Sequence, residues 1–474
     1  MDFVFQPILL ISIILILSTY FIHKRKPNKP KKLPPGSFGW PLLGETHQFL
    51  FKRIDHFLEE RKKKYSSDIF KTNVLGEPTV VFSGPAGNKF ISMNEPKFVK
   101  AYYLKTQRRF FNLPEPDNRS PHPAMSKQGA AAAVQILGFL KPEGLTRYMA
   151  QIESITQQHL TAYWEGKDEL QVYPLVKIFV LTLVHQFYLG LNDPDRAAKF
   201  VNNFDNLHFG IHSIPMNLPG TKYYHALKGV AAIRDEIQCM IKEKIEGFSK
   251  GFGMEDLIGH VIAAEHAGKF VPTIEICNII MGLMHGSYTS VVTTLAFMIK
   301  HIGQQPDIYH KILSEHTDIS KSKGTDSALD WASIQKMKYT WAVAEEAMRL
   351  YPPAAGPFRE AVTDINHAGL TIPKGWKIFW AITATNKNPM FFPDPEIFDP
   401  SRFLGNGPAP YTYIPFGSGP RTCPGKDYTR FVVLTFIHHL VTKFKWEVTF
   451  PDEKISGVMV PIPSKGIPIR LQQL

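Results

Sequence analysis

A glycine-rich turn around one cysteine is the stretch of this sequence best suited to chemistry. The stretch Pro415–Gly425 reads PFGSGPRTCPG and is followed by a predicted helix that includes Lys426–Leu434. Pro424 has no backbone donor, so it suits the first position of that helix. The free amides and positive end of a helix favour a thiolate over a thiol at Cys423. A thiolate held in this way suits a soft or redox-active metal.

The other residues of the turn indicate what the metal would belong to. Gly417 and Gly419 let the backbone approach something large and flat, and Arg421 places a fixed positive charge two residues from the sulfur. One alternative is a free core cysteine in a glycine-rich turn. A phosphate-binding loop fits less well, because Asp427 stands where such a loop needs Ser or Thr.

The pattern F-x-x-G-x-R-x-C-x-G in this turn resembles the haem-binding loop of the cytochrome P450 family, in which a cysteine thiolate is the proximal iron ligand. The resemblance implies haem b (iron-protoporphyrin IX) as the cofactor, with Cys423 as the axial ligand of the iron. It also places Phe416, Gly417 and Arg421 in the cofactor-binding set.

Two further motifs match the same family in order and spacing. Glu346 and Arg349 stand three residues apart on one predicted helix face, and Arg402 lies in the later run FDPSRF. An isolated pair of this kind on a surface contributes little to stability. The resemblance instead implies a buried network of these three side chains that braces the cysteine turn, so their role is structural and not catalytic.

Arg359, in the run PFRE, is predicted to bind a haem propionate by the same resemblance. A planar guanidinium suits a carboxylate bidentately. Arg421 is the second propionate candidate. The alternative for Arg359 is a solvated arginine on the surface.

The helix that activates oxygen in the family departs from its pattern here. That pattern is a run of small residues, then an acid, then a threonine, and the last two relay protons. The preferred register puts Thr289 at the acid position and Ser290 at the alcohol position, and a shift by one residue would put Tyr288 and Thr289 there. Neither register contains a carboxylate. Thr289 and Ser290 are therefore the candidate catalytic residues, holding water for a slower proton relay.

A second departure concerns a helix predicted within Ser126–Leu140. Related sequences carry basic residues there that meet a propionate, whereas this chain has GAAAAVQ at Gly129–Gln135, and Lys127 precedes the run. Alanine favours a helix. The helix is therefore expected to form, with one haem anchor lost.

The substrate pocket is predicted from segments that match substrate-contacting regions of the family. These segments are small or apolar, as a bulky hydrocarbon skeleton requires. His285 is either a packed or hydrogen-bonded helix residue, or a pocket residue that contacts substrate or approaches the iron, for which imidazole is a competent ligand. The predicted pocket residues are His285, Gly286, Ala355, Phe358 and Val458.

The N-terminal segment is predicted to be a membrane anchor. Val4–Ile22 is almost wholly apolar and about as long as a bilayer span requires, roughly 20 residues. Its basic flank begins with HKRK, which favours a cytosolic location for the rest of the chain. A cleaved signal peptide is the alternative, but the positive n-region is missing. The basic flank contributes much of the net charge of +12. It also suits contact with anionic lipid headgroups, so no nucleic-acid partner is needed to explain the charge.

These signals predict a single-pass protein of the endoplasmic reticulum membrane with a cytosolic catalytic domain. The expected fold is mainly α with small β-sheets, the cytochrome P450 fold. The expected parts are an anchor at 1–23, a basic, proline-rich linker at 24–36 and a haem-thiolate monooxygenase domain at 37–474.

Periodicity and turn residues predict the individual elements. A long loop is expected at Lys97–Met125 and a strand pair within Val458–Leu471. The other expected strands are Ile69–Val74, Thr79–Phe82, Gly369–Ile372 and Trp376–Ala381. The expected helices include Met149–Trp164, Ile233–Ile245, Thr273–Ile302 and Trp331–Leu350.

Segments from the middle of the chain, such as YWEGK and SIPMNLPGT, are similar to plant enzymes that oxidise polycyclic terpenes. That branch includes the β-amyrin 28-oxidases and the taxane hydroxylases. The first hypothesis is a monooxygenase for a hydrophobic triterpene-, diterpene- or sterol-like substrate, supplied with electrons from NADPH by NADPH–cytochrome P450 reductase. One alternative is a haem-thiolate enzyme for rearrangement, dehydration or ring closure. The other is a haem-binding protein of low turnover.

Overall fold

The computed structural model describes residues 32–40, 44–65, 67–113, 137–191, 193–211, 213–249, 256–259, 262, 273–323 and 328–474. The predicted anchor at 1–23, most of the linker and the run Gly129–Gln135 lie outside these residues. Within the described residues, helices dominate and the sheets are small. The predicted fold class is therefore confirmed.

The helices are numbered here in chain order. They are α1 (Thr46–Phe51), α2 (Ile54–Tyr65), α3 (Gly84–Asn94), α4 (Lys105–Phe110), α5 (Pro142–Leu145), α6 (Met149–Tyr163), α7 (Val172–Leu183), α8 (Pro194–Gly210), α9 (Lys222–Ser249), α10 (Thr273–Gln304), α11 (Pro306–Lys323), α12 (Trp331–Lys336), α13 (Lys338–Leu350) and α14 (Lys426–Lys443).

The strands are short. They are β1 (Ile69–Val74), β2 (Glu77–Phe82), β3 (Val99–Tyr102), β4 (Glu169–Gln171), β5 (Phe358–Ala361), β6 (Ile365–His367), β7 (Leu370–Ile372), β8 (Lys377–Trp380), β9 (Phe444–Val448), β10 (Ile455–Ser456), β11 (Ile462–Pro463) and β12 (Pro468–Gln473).

The chain divides into two compact units. The first comprises the described residues within Met1–Tyr102 together with Gly356–Ala381. Its centre is a five-stranded sheet in the order β1-β2-β8-β5-β3, antiparallel except where β2 runs parallel to β8. The predicted strands Ile69–Val74 and Thr79–Phe82 form and pair with each other, with Ile69 opposite Phe82. Buried aromatic side chains, among them Phe49 and Phe379 with ring centroids 5.3 Å apart, hold the sheet to α1.

The second unit comprises Tyr103–Ala355 and Ile382–Leu474, and it is built around α10. This helix packs against α7, α9, α13 and α14. Its C-terminal half is an almost continuous buried run from Val291 to Ile302. Of the described residues, only this helix is long and apolar enough to cross a bilayer, and 56% of its apolar window is buried inside the protein.

Two predicted boundaries are wrong. Trp331–Leu350 forms two helices, with a break at Met337. The second helix starts anew because the Glu315 carboxylate, from α11, accepts the N–H groups of Tyr339 and Thr340 at 2.8 and 2.9 Å. Pro424 does not open α14 either, because the helix begins at Lys426 with Gly425 as its N-cap.

Two segments differ from their predicted pairing or shape. The strands expected to pair within Val458–Leu471 belong to separate sheets: β11 pairs with β10, while β12 lies between β4 and β9. The predicted loop Lys97–Met125 contains β3 and α4 in its described part. Strand β3 forms because it finds an edge partner in β5, more than 250 residues later in the chain.

Candidate functional site

The thiolate loop, our name for Pro415–Gly425, is a turn closed by its own backbone. The N–H of Cys423 donates to the carbonyl of Phe416 at 2.8 Å, and the N–H of Gly417 donates to Ile414 at 2.9 Å. Gly417 and Gly419 have φ angles of 69° and 83°, in the left-handed region that glycine adopts at little cost. The loop therefore holds Cys423 by local geometry.

The environment of Cys423 favours a protonated thiol until a metal binds. Its side chain is accessible to solvent, yet surrounding protein raises the pKa of the thiol by burial, and the N–H of Gly425 opposes that shift. Burial therefore outweighs the effect of the helix end, which was predicted to favour a thiolate at Cys423. Metal coordination reverses this balance, because a coordinating thiol is deprotonated outright.

The thiolate loop leaves open space at one of its glycines. A Cβ added at Gly417 would meet no described heavy atom within 4 Å. A single cysteine with an accessible sulfur, this open space in the same loop and a guanidinium at Arg421, two residues before the cysteine, suit a planar, anionic iron cofactor. The residues present thus fit haem.

A buried ion pair on α13 forms the centre of a network that reaches the segment preceding the thiolate loop. Arg349 and Glu346 are both fully buried and joined by two bonds, Nε to Oε2 at 2.6 Å and a terminal guanidinium nitrogen to Oε1 at 2.7 Å. Arg349 also donates to the carbonyls of Asn386, Pro395 and Ile397. Nearly every donor of this guanidinium has a partner, as a buried charge requires.

Arg402 joins this network from a 3₁₀ helix, Pro400–Phe403. Its Nε lies 3.5 Å from Glu346 Oε1, and it donates to the carbonyl of Asp394 at 3.1 Å. The N–H of Asp399 donates to the same Glu346 oxygen at 2.8 Å. The structure thus brings together the three residues that the sequence grouped, and it ties them to the segment that leads into the thiolate loop.

An aromatic and ionic cluster connects α13 to the thiolate loop directly. The Trp341 ring stacks on Phe416 with centroids 6.3 Å apart, and the guanidinium of Arg430 lies 5.5 Å from the Trp341 centroid. Burial raises the pKa of Glu345, one turn along α13, to about 7, with Lys426 and Arg430 opposing the shift. The base of the loop is therefore packed against α13 and α14.

The hydroxyl run, our name for Gly286–Ser290, directs its three last side chains to different partners. Ser290 Oγ donates to the carbonyl of Gly286 at 2.6 Å. Thr289 Oγ1 lies 3.3 Å from Nδ1 of His208, on α8. Tyr288 is buried and donates to Asp205 at 3.3 Å. Tyr288 and Thr289 thus both contact α8, whereas Ser290 bonds to its own helix.

Tyr188 links the neighbourhoods of the thiolate loop and the hydroxyl run. It is buried, and its ring centroid lies 6.0 Å from that of Tyr428 at the start of α14. Burial raises the pKa of Tyr188 to about 12, and Ser287, Tyr428 and Cys423 also influence it. Helices α10 and α14 pack against each other. The two candidate halves of the site therefore lie in one compact unit.

Arg359 lies in the first unit, on β5. Its Nε lies 3.1 Å from the carboxylate of Glu95, both side chains are buried, and the guanidinium lies 5.5 Å from the Trp380 ring. It is thus not the solvated surface arginine that was the alternative. Phe358, next to it, packs against Phe379 at 5.0 Å between centroids.

The remaining predicted residues lie in the second unit. His285 is half-buried, with its ring 5.8 Å from both His208 and Phe111. Ala355 is buried, and its carbonyl accepts a bond from Thr383 at 3.3 Å. Val458 is half-buried in the turn between β10 and β11, and Arg421 is half-buried in the thiolate loop.

Sequence reasoning did not identify the partners that α8 supplies to the hydroxyl run. His208 and Asp205 stand three residues apart on α8, and each contacts a residue of the run 81 or 83 positions away. The only local signal is the placement of two polar side chains on one helix face. That spacing is too common to have indicated a functional site.

Comparisons with known proteins agree with this geometry. The sequence profile described as cytochrome P450 matches residues 34–468. The chain is 42% identical over 466 residues to a β-amyrin 28-monooxygenase of Solanum lycopersicum, covering 97% of this chain and 96% of that one. It is 40% identical to a β-amyrin 28-monooxygenase of Medicago truncatula, with 99% and 98% covered.

Two other similar proteins widen the comparison. A β-amyrin 6-β-monooxygenase of Solanum lycopersicum is 39% identical, with 99% of this chain and 100% of that protein covered. The solved structure of a retinoic acid-bound cyanobacterial CYP120A1 superposes with a TM-score of 0.81 at 25% identity, over 94% of this chain and 100% of that one. The predicted fold is confirmed by this similarity.

Proposed function

The chain belongs to the cytochrome P450 family, and from this premise we propose that it oxidises a triterpenoid of the β-amyrin type. As a member of the family it is a haem-dependent monooxygenase that receives its electrons from a reductase. Haem with a thiolate ligand activates O₂ for insertion of one oxygen atom into a substrate C–H bond. The observation that carries the proposal is the closed thiolate loop with one accessible cysteine, together with full-length similarity to β-amyrin monooxygenases.

Cys423 would be the axial ligand of the iron. Phe416 and Gly417 would line the cofactor from the loop, and Arg421 would offer its guanidinium to a propionate. Arg359 is also proposed as a propionate partner, although in this structure it pairs with Glu95. The Glu346–Arg349–Arg402 network would brace the loop without touching the cofactor.

The substrate position is open within this proposal. The similar proteins named above act on one skeleton, β-amyrin, at two different positions, 28 and 6β. Overall similarity therefore supports a skeleton more strongly than a carbon atom. We propose that His285, Gly286, Ala355, Phe358 and Val458 contribute to the pocket that selects the carbon.

The protein's own contribution to the chemistry lies in the hydroxyl run. Ser290 Oγ donates to the Gly286 carbonyl, which leaves its lone pairs to accept a bond from water. Such a water, with Thr289 beside it, would supply protons during turnover. No carboxylate takes part in this run, so we expect slower proton delivery than in relatives that have one.

We further propose NADPH as the electron source, through NADPH–cytochrome P450 reductase, and a location on the endoplasmic reticulum membrane. The basic segment after the apolar N-terminus suits anionic lipid headgroups. The support for this location is the amino-acid sequence of these two segments alone.

The experiment is product analysis in a host that makes β-amyrin and co-expresses a plant reductase. With ¹⁸O₂, the wild-type protein is expected to yield a β-amyrin derivative that carries one labelled atom per oxidation. Conversion without label would support rearrangement or dehydration instead. A host producing diterpenes serves as the matched comparison, and product formed only there would contradict the proposal.

Cys423→Ser tests the thiolate directly. The variant is expected to lose the red-shifted absorption of a thiolate-ligated ferrous carbonyl complex and all labelled product. Cys239→Ser is the matched control, because that cysteine is exposed and lies on α9. Retention of the thiolate spectrum by Cys423→Ser would refute the ligand assignment.

A further inference from the structure

A histidine on α8 stands where the hydroxyl run lacks its acid. His208 Nδ1 lies 3.3 Å from Thr289 Oγ1, and Thr289 occupies the position at which the resemblance expects a carboxylate. His208 is half-buried, and its ring centroid lies 5.3 Å from that of Tyr288 in the same run. The ring is thus packed against the run, in a residue that is not fully shielded from solvent.

The protonation state of His208 allows the ring both to accept and to donate a proton. Burial lowers its pKa to about 4, Asp205 opposes that shift and Lys177 adds to it. At neutral pH the ring is therefore uncharged, with one nitrogen that donates and one that accepts. Such a ring can accept a proton on one nitrogen while releasing another from the opposite nitrogen.

Other ionisable groups near His208 are already engaged. The Asp205 carboxylate accepts from Tyr288 at 3.3 Å and lies 3.3 Å from Lys177 Nζ, on α7. The Tyr288 hydroxyl has a raised pKa because of burial and of the nearby Asp205. The His285 ring lies 5.8 Å from the His208 ring. Of the ionisable groups in the described residues, His208 is the one hydrogen-bonded to Thr289.

We propose that His208 is a positioning residue that delivers protons to Thr289 Oγ1, in place of the missing carboxylate. This inference rests on the proposed monooxygenase function. A solvent proton binds Nε2, the Nδ1 proton passes to Thr289 Oγ1, and the hydroxyl releases its own proton to a water. Nε2 then releases its proton to solvent and Nδ1 takes one from a water, which restores the first tautomer, and no electrons are transferred.

The contact is tested first without turnover. Histidine labelled with ¹⁵N is incorporated into the full-length protein, and spectra are collected on its diamagnetic ferrous carbonyl form. His208→Gln identifies the His208 signals. Thr289→Val is expected to shift the Nδ1 signal of His208, because the hydrogen bond is lost. An unchanged Nδ1 signal would overturn the inference.

The relay is tested second, by the ratio of oxidised product to NADPH consumed as a function of pH. His208→Gln and Thr289→Val are each expected to lower this ratio on the order of tenfold, with a matching rise in peroxide. This is less than the roughly hundredfold typical of a lost acid, because water still delivers protons. The double variant should be no worse than either single variant.

Matched variants separate the relay from a structural role. His225→Gln removes an exposed histidine of α9 and should leave the ratio unchanged. Thr289→Asp added to His208→Gln should restore the ratio, because a carboxylate then supplies the proton. An unchanged ferrous carbonyl spectrum in every variant shows that the haem site is intact.

The outcomes distinguish the two proposals. Failure of the wild-type protein to oxidise any triterpenoid would contradict the proposed function, while the nitrogen signals would still report the His208 contact. Normal oxidation by wild type with an unchanged ratio in His208→Gln would overturn the relay alone. Failure of Thr289→Asp to restore the ratio would overturn it as well.

Discussion

The thiolate loop and the hydroxyl run belong to the same compact unit but are held by different interactions. The loop is closed by backbone bonds and lies beside a network centred on the fully buried Glu346–Arg349 pair. In the run, the partly accessible side chains of Thr289 and Ser290 each make a single hydrogen bond. A metal ligand needs one fixed position, whereas proton delivery needs groups that can exchange partners. The difference indicates that stability is concentrated on the cysteine side.

Removing one partner of the buried ion pair should have the largest effect on stability. Arg349→Ala leaves the Glu346 carboxylate buried without its main partner, which costs about 3–5 kcal/mol of unfolding free energy. Chemical denaturation followed by circular dichroism, together with haem content, measures the loss. Arg470→Ala is the control, because its pair with Glu169 is about two-thirds exposed and should contribute little. Equal losses in both variants would contradict the stated difference between the regions.

A buried histidine pair between α11 and α14 should make the cysteine side sensitive to acid. Thr340 donates to Glu315 at 2.6 Å, so its Oγ1 accepts from His316 Nε2 at 2.9 Å. His316 Nδ1 is then left to accept from the Nδ1–H of His438, also at 2.9 Å. The His316 ring must therefore be neutral for this chain of bonds to form, and His438 must carry a proton on Nδ1.

The sign of the pH effect follows from the burial of these rings. Burial, with His439 adding to it, lowers the pKa of His438 to about 4. Because the unfolded chain binds the proton below about pH 6.5, stability is complete above that value and falls as the pH drops toward 4, by up to roughly 3 kcal/mol. His438→Gln should flatten this slope in denaturation curves measured at several pH values. His310→Gln, an exposed histidine of α11, should reproduce the wild-type slope; a wild-type slope in His438→Gln would refute the assignment.

A glycine of the thiolate loop can separate backbone strain from contact with the cofactor. Gly417 and Gly405 have φ angles of 69° and 63°, and an added Cβ would meet no described atom within 4 Å at either position. Replacing either glycine by alanine should therefore lower the free energy of unfolding by a similar amount, roughly 1–2 kcal/mol, because the left-handed backbone is strained. Haem retention on a desalting column should fall only for Gly417→Ala. Equal retention would place Gly417 away from the cofactor.

The smallest expected change comes from the hydroxyl run itself. Ser290→Ala removes the bond to the Gly286 carbonyl at a partly exposed position, so folding should change little. Product formed per NADPH should fall severalfold, since water loses one partner on this helix. Ser290→Thr keeps the hydroxyl and is the matched variant. A fall in thermal stability as large as that of Arg349→Ala would show that the run is also structural.

Much of the site could be predicted because its residues are close in sequence. The cysteine turn and the Glu346–Arg349 spacing depend on residues close in the chain, and the structure shows a closed turn and a buried ion pair there. The ends of the helices were less predictable. The break at Met337 depends on Glu315, 22 residues earlier, whose carboxylate binds the first amides of α13. Local propensity contains no information about such a partner.

The amino-acid sequence by itself determined the cysteine loop typical of the family, the absence of a carboxylate from the hydroxyl run and the mainly helical class. Each of these depends on adjacent residues or on a short hydrophobic period. Only the tertiary structure decided which distant groups the hydroxyl run contacts. His208 meets Thr289, and Asp205 meets Tyr288, because α8 packs near α10 in the folded second unit. Similarly, strand β12 lies between β4 and β9 instead of pairing with β11, because strand partners are chosen by the packing of distant segments. Contacts across such separations depend on the whole fold, so no local pattern specifies them.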